Sequence, residues 1–167
     1  MEQVILSVGG NLGKREIFIA QAKNLLEDAF DCEAESSAIY ETPAWGFESS
    51  NAFLNAVFAF TMAELPSNLM KTIISIERRL GRKRTDTPGY SSRTIDIDVI
   101  AIGSQIISND DLFVPHPKMQ DRLFVLKPMA DVCPDWMHPI FNQSTAELLK
   151  HCTDKSEIKL WDSPTIT

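Results

Sequence analysis

The amino-acid sequence predicts an α+β fold, because strand-like and helix-like segments follow one another in the order β-α-β-β-α-β. Residues 4–8 and 53–62 are short apolar runs, rich in β-branched and aromatic residues, which is typical of strands. Residues 14–29 and 65–80 repeat apolar residues every three or four positions, which is typical of helices. In one domain, this order predicts a ferredoxin-like antiparallel sheet with the helices packed on one of its faces.

The two other strands of this core are predicted at 35–42 and at 94–102, where Pro43 and Gly103 end the runs. We expect the last strand to be a central strand of the sheet. The segments 43–51 and 82–92 are polar and contain Pro, Gly and Ser, so we expect exposed loops there.

A C-terminal extension follows the core. A hairpin strand is predicted at Ile106 and Ile107, a short helix from Arg122 onward, and a last helix around 144–151. The tail from about residue 154 is polar, so we expect it to be poorly ordered. The length of 167 residues suits a single domain, 1–167, with a core of its own.

Composition and charge exclude several classes of protein. The net charge of −7 disfavours a general nucleic-acid binder. The apolar runs are all too short to span a bilayer, and the first ten residues carry no basic residue, which disfavours a secretory signal. The three cysteines show no CxxC spacing, which fits a reducing compartment. We therefore expect a cytoplasmic protein, monomeric, with small-molecule partners and with neither nucleic-acid nor membrane partners.

The arginines are concentrated in one short segment. Of the seven in the chain, five lie between residues 78 and 93, namely Arg78, Arg79, Arg82, Arg84 and Arg93. An acidic protein that gathers its guanidinium groups in this way is expected to face a compact anion there. The alternative is a solvated helix end, because basic side chains favour the C-terminus of a helix.

Two carboxylates lie two residues apart in the strand 94–102. Because side chains alternate along a strand, Asp96 and Asp98 point to the same face. That face is predicted to continue with Ile100 and Ile102, and the opposite face holds Ile95, Ile97 and Val99. Two neighbouring carboxylates repel one another, and a divalent cation would offset this repulsion. Mg²⁺ prefers such oxygen ligands together with water and phosphate, so the pair is a candidate metal site.

The alternative for the pair is structural: both carboxylates lie on a half-exposed face, with Arg93 and Arg122 as partners. The arginine-rich segment next to the pair favours phosphoryl transfer, in which a protein mainly positions groups and neutralises charge. The segment "GGNLGK" at 9–14 lacks the spacing of a P-loop, so we interpret it as a turn between strand and helix.

The segment 80–103 resembles the signature of the 6-hydroxymethyl-7,8-dihydropterin pyrophosphokinase family, with "LGRKRTDTPGYSSRTIDIDVIAIG". Further motifs in the same order cover nearly the whole chain: "GGNLG" at 9–13, "YETPAWG" at 40–46, "FLNAV" at 53–57 and "VPHPKMQDRLFVLKPM" at 114–129. The resemblance implies a ferredoxin-like fold. It also implies an enzyme of folate biosynthesis that transfers pyrophosphate from ATP to 6-hydroxymethyl-7,8-dihydropterin, with AMP as the second product.

The resemblance assigns roles to particular residues. Asp96 and Asp98 would bind two Mg²⁺ ions, with ATP as co-substrate, and Arg82 and Arg93 would join them as catalytic residues. The ATP-binding positions it implies are Glu77, Arg82, Arg84, Tyr90, Arg93, His116 and Arg122. Without the resemblance, the residues favour a loop histidine that makes a backbone hydrogen bond at His116, and Glu77 could be an ordinary i,i+4 helix partner.

For the pterin, the resemblance implies a pair of stacking rings at Phe53 and Phe124, and an amide at Asn55 that faces the edge of the pterin. Thr42, Pro43 and Trp45 would complete the pocket. From the residues alone, the two phenylalanines could instead be part of the core. Asn55 is the most informative position, because an amide in an apolar strand requires hydrogen-bond partners.

The sequence departs from the family pattern at two places. Tyr90 is the aromatic residue nearest to the position where the family often has a loop tryptophan, and Trp45 lies where a smaller aliphatic residue is common. Two other functions are alternatives: a non-catalytic ferredoxin-like module that binds a small molecule, and a metal-dependent nuclease. The arginine cluster disfavours the first, and the acidic net charge disfavours the second.

Overall fold

The computed structural model describes residues 1–63, 65, 67–83 and 89–163. In order, its elements are β1 (Glu2–Gly10), α1 (Arg15–Phe30), β2 (Ala34–Ser36), β3 (Tyr40–Thr42), β4 (Phe53–Met62), α2 (Leu69–Arg79), β5 (Asp96–Ile102), β6 (Ile107–Ser108), β7 (Phe113–Val114), α3 (Leu123–Val132), α4 (Thr145–His151) and β8 (Lys159–Leu160). The predicted α+β class and the ferredoxin-like antiparallel core are confirmed. Within the described ranges, no helix is both long and apolar enough to cross a membrane.

The main sheet has the strand order β5-β1-β4-β3-β8, and β2 pairs with β4 beside β3. β1 is antiparallel to both β4 and β5. The prediction that the aspartate strand is central was therefore wrong, since β5 lies at the edge of the sheet. β4 already occupies one side of β1, so α2 carries the chain across to the free side.

Helices cover both faces of this sheet. Leu6 of β1 and Phe60 of β4 belong to the buried cluster on the first face, together with Leu26 of α1 and Ile73 of α2. The second cluster joins Ile5 of β1 to residues of the C-terminal extension, including Leu126 of α3 and Leu148 of α4. The expectation that helices pack on one face holds for α1 and α2, whereas the extension covers the second face.

The pairing of β1 with β5 shifts by one residue between Ile5 and Leu6, because Leu6 pairs with Val99 and Ile5 pairs with Ala101. The extra residue is Ile100, so β5 contains a bulge. Beyond it the alternation reverses, and Ile102 joins the cluster of α1 and α2. The prediction that Ile102 shares the face of Asp96 and Asp98 was wrong for this reason, whereas Ile100 does lie in the cluster on their side.

Some element boundaries also differ from the prediction. The strand expected at 35–42 divides into β2 and β3, because the hydroxyl of Ser37 accepts the backbone N–H of Val57 at 2.8 Å in place of a backbone carbonyl. The predicted helix 65–80 begins at Leu69, and Pro66 lies outside the described residues.

The expectation of a poorly ordered tail stays a prediction, and the described part of the tail contacts the sheet and α1. β8 pairs with β3, and the indole of Trp161 donates to Glu16 at 3.0 Å. The edge of β3 and the side chains of α1 therefore hold the tail, which polarity along the sequence does not reveal.

Candidate active site

A cleft of about 730 Å³ opens beside the edge strand β5. It is lined by every predicted site residue within the described ranges: Thr42, Pro43, Trp45, Phe53, Asn55, Glu77, Arg82, Tyr90, Arg93, Asp96, Asp98, His116, Arg122 and Phe124. Arg84, also predicted to bind ATP, lies outside the described residues. The structure thus brings together residues that are up to 82 positions apart in the chain, from Thr42 to Phe124.

The floor of the cleft is formed where β4, β1 and β5 run side by side. Gly9 of β1 pairs with Asn55 on one side and with Asp96 on the other. A Cβ atom at Gly9 would lie 2.5 Å from the Oδ1 atom of Asn55, so a side chain at this position would displace the amide. The glycine pair in "GGNLG" therefore serves close packing at the floor of the cleft.

Asp96 is held by two guanidinium groups. Arg93 donates to its Oδ2 atom at 2.6 Å, and Arg82 donates to its Oδ1 atom. Arg82 also donates to the backbone carbonyl of Ile95 at 3.0 Å. Arg93 had been predicted as a partner in the structural alternative, but the second partner is Arg82 and not Arg122.

Asp98 differs from Asp96 in its contacts. Within the described part of the chain, the structure records no hydrogen bond or ion pair to its carboxylate. Burial and the charge of Asp96 raise the pKa of Asp98 to about 7, although the nearby guanidinium of Arg122 opposes this shift. A buried carboxylate beside a second carboxylate is the type of oxygen donor that fits Mg²⁺.

No third acidic, histidine or cysteine side chain joins the two aspartates in a metal-binding group among the residues described. This donor set suits Mg²⁺, which usually takes one or two carboxylates and completes its shell with water and substrate phosphates. The residues therefore fit the predicted metal, and the number of ions stays a prediction.

A side chain from α2 provides a hydrogen-bond acceptor for the free edge of β5 next to the aspartates. The carboxylate of Glu77 accepts the backbone N–H of Ile97 at 2.8 Å and lies 3.6 Å from the guanidinium of Arg82. Burial is the main reason why the pKa of Glu77 is raised. Glu77 thus links α2, the edge strand and the first arginine of the loop, and it is more than a helix-surface partner.

Cations gather on the opposite wall of the cleft. The hydroxyl of Tyr90 accepts from Arg122 at 2.7 Å and from Lys118 at 3.1 Å. Although burial acts to raise it, the pKa of Tyr90 is held below its usual value by these two cations. Lys118 was missed by the sequence analysis, because a lysine in a polar loop carries no signal of its own.

His116 lies beside the same cations. Its Nδ1 atom accepts the backbone N–H of Lys118 at 3.1 Å. Burial, followed by the charges of Arg122 and Lys118, lowers the pKa of His116 to about 4, against the opposing effect of Asp96. The imidazole is therefore neutral at pH 7 and can offer a hydrogen bond without adding charge.

Aromatic rings line the other end of the cleft. Trp45 makes edge contacts with Tyr90 and Phe124, at centroid distances of 5.8 and 6.4 Å, and Phe47 contacts Phe53 at 6.1 Å. The guanidinium of Arg122 lies 4.8 Å from the centre of the Trp45 ring. Large apolar faces beside a few fixed polar groups suit a flat heteroaromatic ligand.

Asn55 supplies the fixed polar group at this end. Its Nδ2 atom donates to the hydroxyl of Thr42 at 2.8 Å, and both side chains are buried. Neighbouring strands hold both residues, because β3 pairs with β4. This contact meets part of the hydrogen-bonding demand that the sequence predicted for an amide in an apolar strand.

Asn11 is a further residue that the sequence analysis missed. It is only 2% exposed, and its Nδ2 atom donates to Ser92 at 3.0 Å while its Oδ1 atom accepts the backbone N–H of Arg93 at 2.8 Å. The same amide donates to the carbonyl of Asn51 at 3.3 Å. Asn11 therefore joins the loop before β4 to the loop that carries Arg93. An asparagine in a glycine-rich turn gives no sign of this role in the sequence.

Comparison with known proteins identifies the family. Residues 5–134 match the family model described as 7,8-dihydro-6-hydroxymethylpterin-pyrophosphokinase (HPPK). The 2-amino-4-hydroxy-6-hydroxymethyldihydropteridine pyrophosphokinase of Porphyromonas gingivalis is 39% identical over 141 residues, which is 83% of this chain and 95% of that protein. The enzyme of the same name from Aquifex aeolicus is 35% identical over 147 residues, covering 88% of this chain and 90% of that protein.

The fold is also similar to that of a solved structure. The Plasmodium falciparum HPPK-DHPS chain crystallised with pteroate superposes with a TM-score of 0.68 at 13% sequence identity, over 89% of this chain and 44% of that chain. At this identity the likeness concerns the fold alone, and this chain spans less than half the length of that protein. The family match and the two relatives carry the assignment: the chain belongs to the 7,8-dihydro-6-hydroxymethylpterin-pyrophosphokinase family.

Proposed function

We propose that the cleft beside β5 is where the chain, a pyrophosphokinase of folate biosynthesis, transfers the pyrophosphoryl group of ATP to 6-hydroxymethyl-7,8-dihydropterin. The hydroxymethyl oxygen forms a bond to the β-phosphorus of ATP, the bond between that phosphorus and the α,β-bridging oxygen breaks, and AMP leaves. The proton of the hydroxyl is released in the same reaction, and the other product is the dihydropterin diphosphate.

The observation that carries the proposal is the pair of Asp96 and Asp98 in a cleft that has cations along one wall and aromatic rings at one end. We assign Mg²⁺ to the two aspartates, with two ions as the predicted number. Bound there, Mg²⁺ would neutralise phosphate charge and lower the pKa of the attacking hydroxyl. Among the described residues, no side chain stands out as a general base, so the protein contributes chiefly by alignment and charge.

The chain's own residues divide this work between them. Arg82 and Arg93 both form ion pairs with Asp96 and supply positive charge for the phosphates. Arg122, whose side chain is buried among the rings, lies between the cationic wall and the aromatic end. Phe53, Phe124 and Asn55 would hold the pterin by stacking and by hydrogen bonds.

The remaining residues are assigned to one of the two halves of the cleft, the half for the nucleotide or the half for the pterin. Glu77, Tyr90 and His116 belong to the nucleotide half, and Thr42, Pro43 and Trp45 to the pterin half. Arg84 is assigned to the nucleotide half from the family motif alone. The monomeric state, the single-domain organisation and the cytoplasmic location stay predictions.

The test is a turnover assay with purified protein, ATP, Mg²⁺ and the hydroxymethyl dihydropterin, in which AMP release is followed. We expect AMP to form only when all three are present, and to disappear when a chelator removes the metal. Hydrolysis of ATP without the pterin, or binding of the pterin without turnover, would contradict the proposal. The second outcome would instead favour a non-catalytic binding module.

A further inference from the structure

The C-terminal strand β8 lies against the strand that carries Thr42. Leu160 pairs with Tyr40 and Lys159 with Glu41, and the backbone N–H of Trp161 donates to the carbonyl of Ile39 at 2.8 Å. β8 thus closes the outer edge of β3, next to the proposed pterin pocket. The family model ends at residue 134, so the matched family pattern does not describe this tail.

Arg15, at the start of α1, joins the two strand ends that form the wall of this pocket. Its NH1 atom donates to the carboxylate of Glu41 at 2.9 Å and to the backbone carbonyl of Ala52 at 2.8 Å. Glu41 directly precedes Thr42, and Ala52 directly precedes Phe53. A single guanidinium group therefore sets the spacing between the residue that binds the Asn55 amide and a residue predicted to stack on the pterin.

Trp161 holds Arg15 in place from the outside. The guanidinium carbon of Arg15 lies 5.0 Å from the centre of the Trp161 ring, a cation–π contact. The indole N–H donates to Glu16 at 3.0 Å, and the hydroxyl of Ser163 donates to the same carboxylate. The ring is therefore fixed on both sides, by β8 along the backbone and by α1 through Glu16.

We propose that Trp161 and Arg15 form a clamp that positions the pterin wall, so that the C-terminal tail sets the affinity for the pterin and leaves the affinity for ATP unchanged. The proposal rests on the proposed function, because it requires the pterin to lie against Thr42, Phe53 and Asn55. Within the described part of the chain, neither clamp residue forms a hydrogen bond or an ion pair with Asp96 or Arg93. Both are positioning residues and make no contact with the reacting atoms.

The test is steady-state kinetics on full-length Trp161→Ala, with each substrate varied in turn. We expect the KM for the pterin to rise roughly tenfold, because a shift of about 1 Å in a binding wall is costly, while kcat and the KM for ATP change less than about twofold. Trp161→Phe keeps a ring over Arg15 and should restore most of the pterin affinity. Glu157→Gln, in the same tail but in an exposed ion pair with Lys159, is the matched control and should change nothing.

Two readouts separate positioning from general destabilisation. The urea midpoint of Trp161→Ala should stay close to that of the unchanged chain, and amide exchange should quicken in β3 and not in β5. If Trp161→Ala fails to fold, Arg15→Gln leaves β8 in place and is measured in the same way. An unchanged KM for the pterin, or equal rises in both KM values with a lower urea midpoint, would overturn the proposal.

Asn55→Ala distinguishes failure of the clamp from failure of the proposed site. If Asn55→Ala raises the KM for the pterin and Trp161→Ala does not, the clamp is wrong and the pterin site stands. If Asn55→Ala leaves the KM for the pterin unchanged, the pterin lies elsewhere, and both the assigned site and the clamp are overturned.

Discussion

The guanidinium of Arg93 donates to the Oδ2 atom of Asp96 at 2.6 Å, so a residue assigned to the phosphates neutralises a residue assigned to the metal. The pair joins the loop before β5 to the first residue of that strand. Any cation that binds at Asp96 must compete with Arg93 and Arg82 for the same carboxylate. The arginines and the metal are therefore coupled through a single side chain.

This competition predicts that Arg93→Met increases the affinity of the free protein for Mg²⁺ while it lowers turnover. Removal of one positive charge beside Asp96 should tighten metal binding about fivefold in the absence of nucleotide, because a nearby like charge disfavours a bound cation. Mn²⁺ titration followed by electron paramagnetic resonance measures this effect. Arg78→Met removes an exposed arginine of the same cluster and serves as the control. Unchanged or weaker metal binding in Arg93→Met would refute the coupling.

Asp96→Ala and Asp98→Ala, made singly, should each reduce kcat by at least about a hundredfold, because each removes a proposed ligand of the Mg²⁺ that would neutralise the reacting phosphates. AMP release under saturating substrates measures the effect. Asp111→Ala, an exposed carboxylate in the loop before β7, should retain full activity. Substantial turnover in both aspartate variants would exclude the pair as metal ligands.

His116 should remain neutral down to about pH 4, because burial and the charges of Arg122 and Lys118 lower its pKa from the ordinary 6.5 to about 4, against the effect of Asp96. Between these two values the unfolded chain binds more protons than the folded chain, so the free energy of unfolding falls as the pH falls. The contribution of His116 to the free energy of unfolding is fully present above pH 6.5. About 3 kcal/mol of it is lost by pH 4.

Proton NMR of the imidazole signals measures this pKa directly, and urea unfolding at pH 4.5 and at pH 7 measures the linked stability. In His116→Gln, the loss of stability on acidification should be smaller by about 2 kcal/mol. His151→Gln, at an exposed position, should leave the pH dependence of unfolding as it is. An imidazole of His116 that titrates near pH 6.5 would contradict the burial seen here.

Tyr40 and Tyr90 are the only tyrosines in the sequence, and they should ionise in two separate steps. Burial, with the carboxylate of Asp131 as acceptor of its hydroxyl, raises the pKa of Tyr40 to about 12, whereas the pKa of Tyr90 is lowered. An ultraviolet absorbance titration separates the steps, and Tyr40→Phe should abolish the upper one. A single step for both tyrosines would show that the contact between Tyr40 and Asp131 is not formed.

The contact of Tyr40 with Asp131 also makes the stability depend on alkaline pH. The pKa of Tyr40 is higher in the folded chain than in the unfolded chain, so its contribution is full below about pH 10 and is lost as the pH rises through 12. At neutral pH, Tyr40→Phe removes the hydrogen bond of 2.8 Å to Asp131 and should cost about 1 kcal/mol. Urea unfolding at neutral pH measures the free energy lost in Tyr40→Phe, and urea unfolding near pH 12 measures the free energy lost when Tyr40 ionises.

Local patterns in the sequence predicted most of the fold. The apolar run gave β4 at its observed bounds, Phe53–Met62, and the helical spacing gave α1 to within one residue. Two features depend on partners that are remote in sequence, and they were predicted incorrectly: the edge position of β5 and the reversal of alternation after Ile100. Each is decided by which strand pairs with which.

The candidate site divides in the same way. Spacing identified the paired aspartates, and concentration in one segment identified the arginine cluster. Asn55 was recognisable as a polar residue in an apolar strand, and the family motifs supplied the other positions. Asn11 and Lys118 were missed, because their significance lies in contacts with Ser92, Arg93 and Tyr90, which are far away along the chain. Neither residue type is unusual at such a position.

The bulge at Ile100 makes the two halves of β5 independent in orientation. If the same residues of β5 alternated strictly, without the bulge, one half of the strand would have to turn over. Either the two carboxylates would then point into the hydrophobic cluster beneath α1 and α2, or Ile102 would point out of that cluster. The extra residue at Ile100 is therefore what allows one strand to keep both carboxylates on the side of the cleft and Ile102 in the layer beneath α1 and α2.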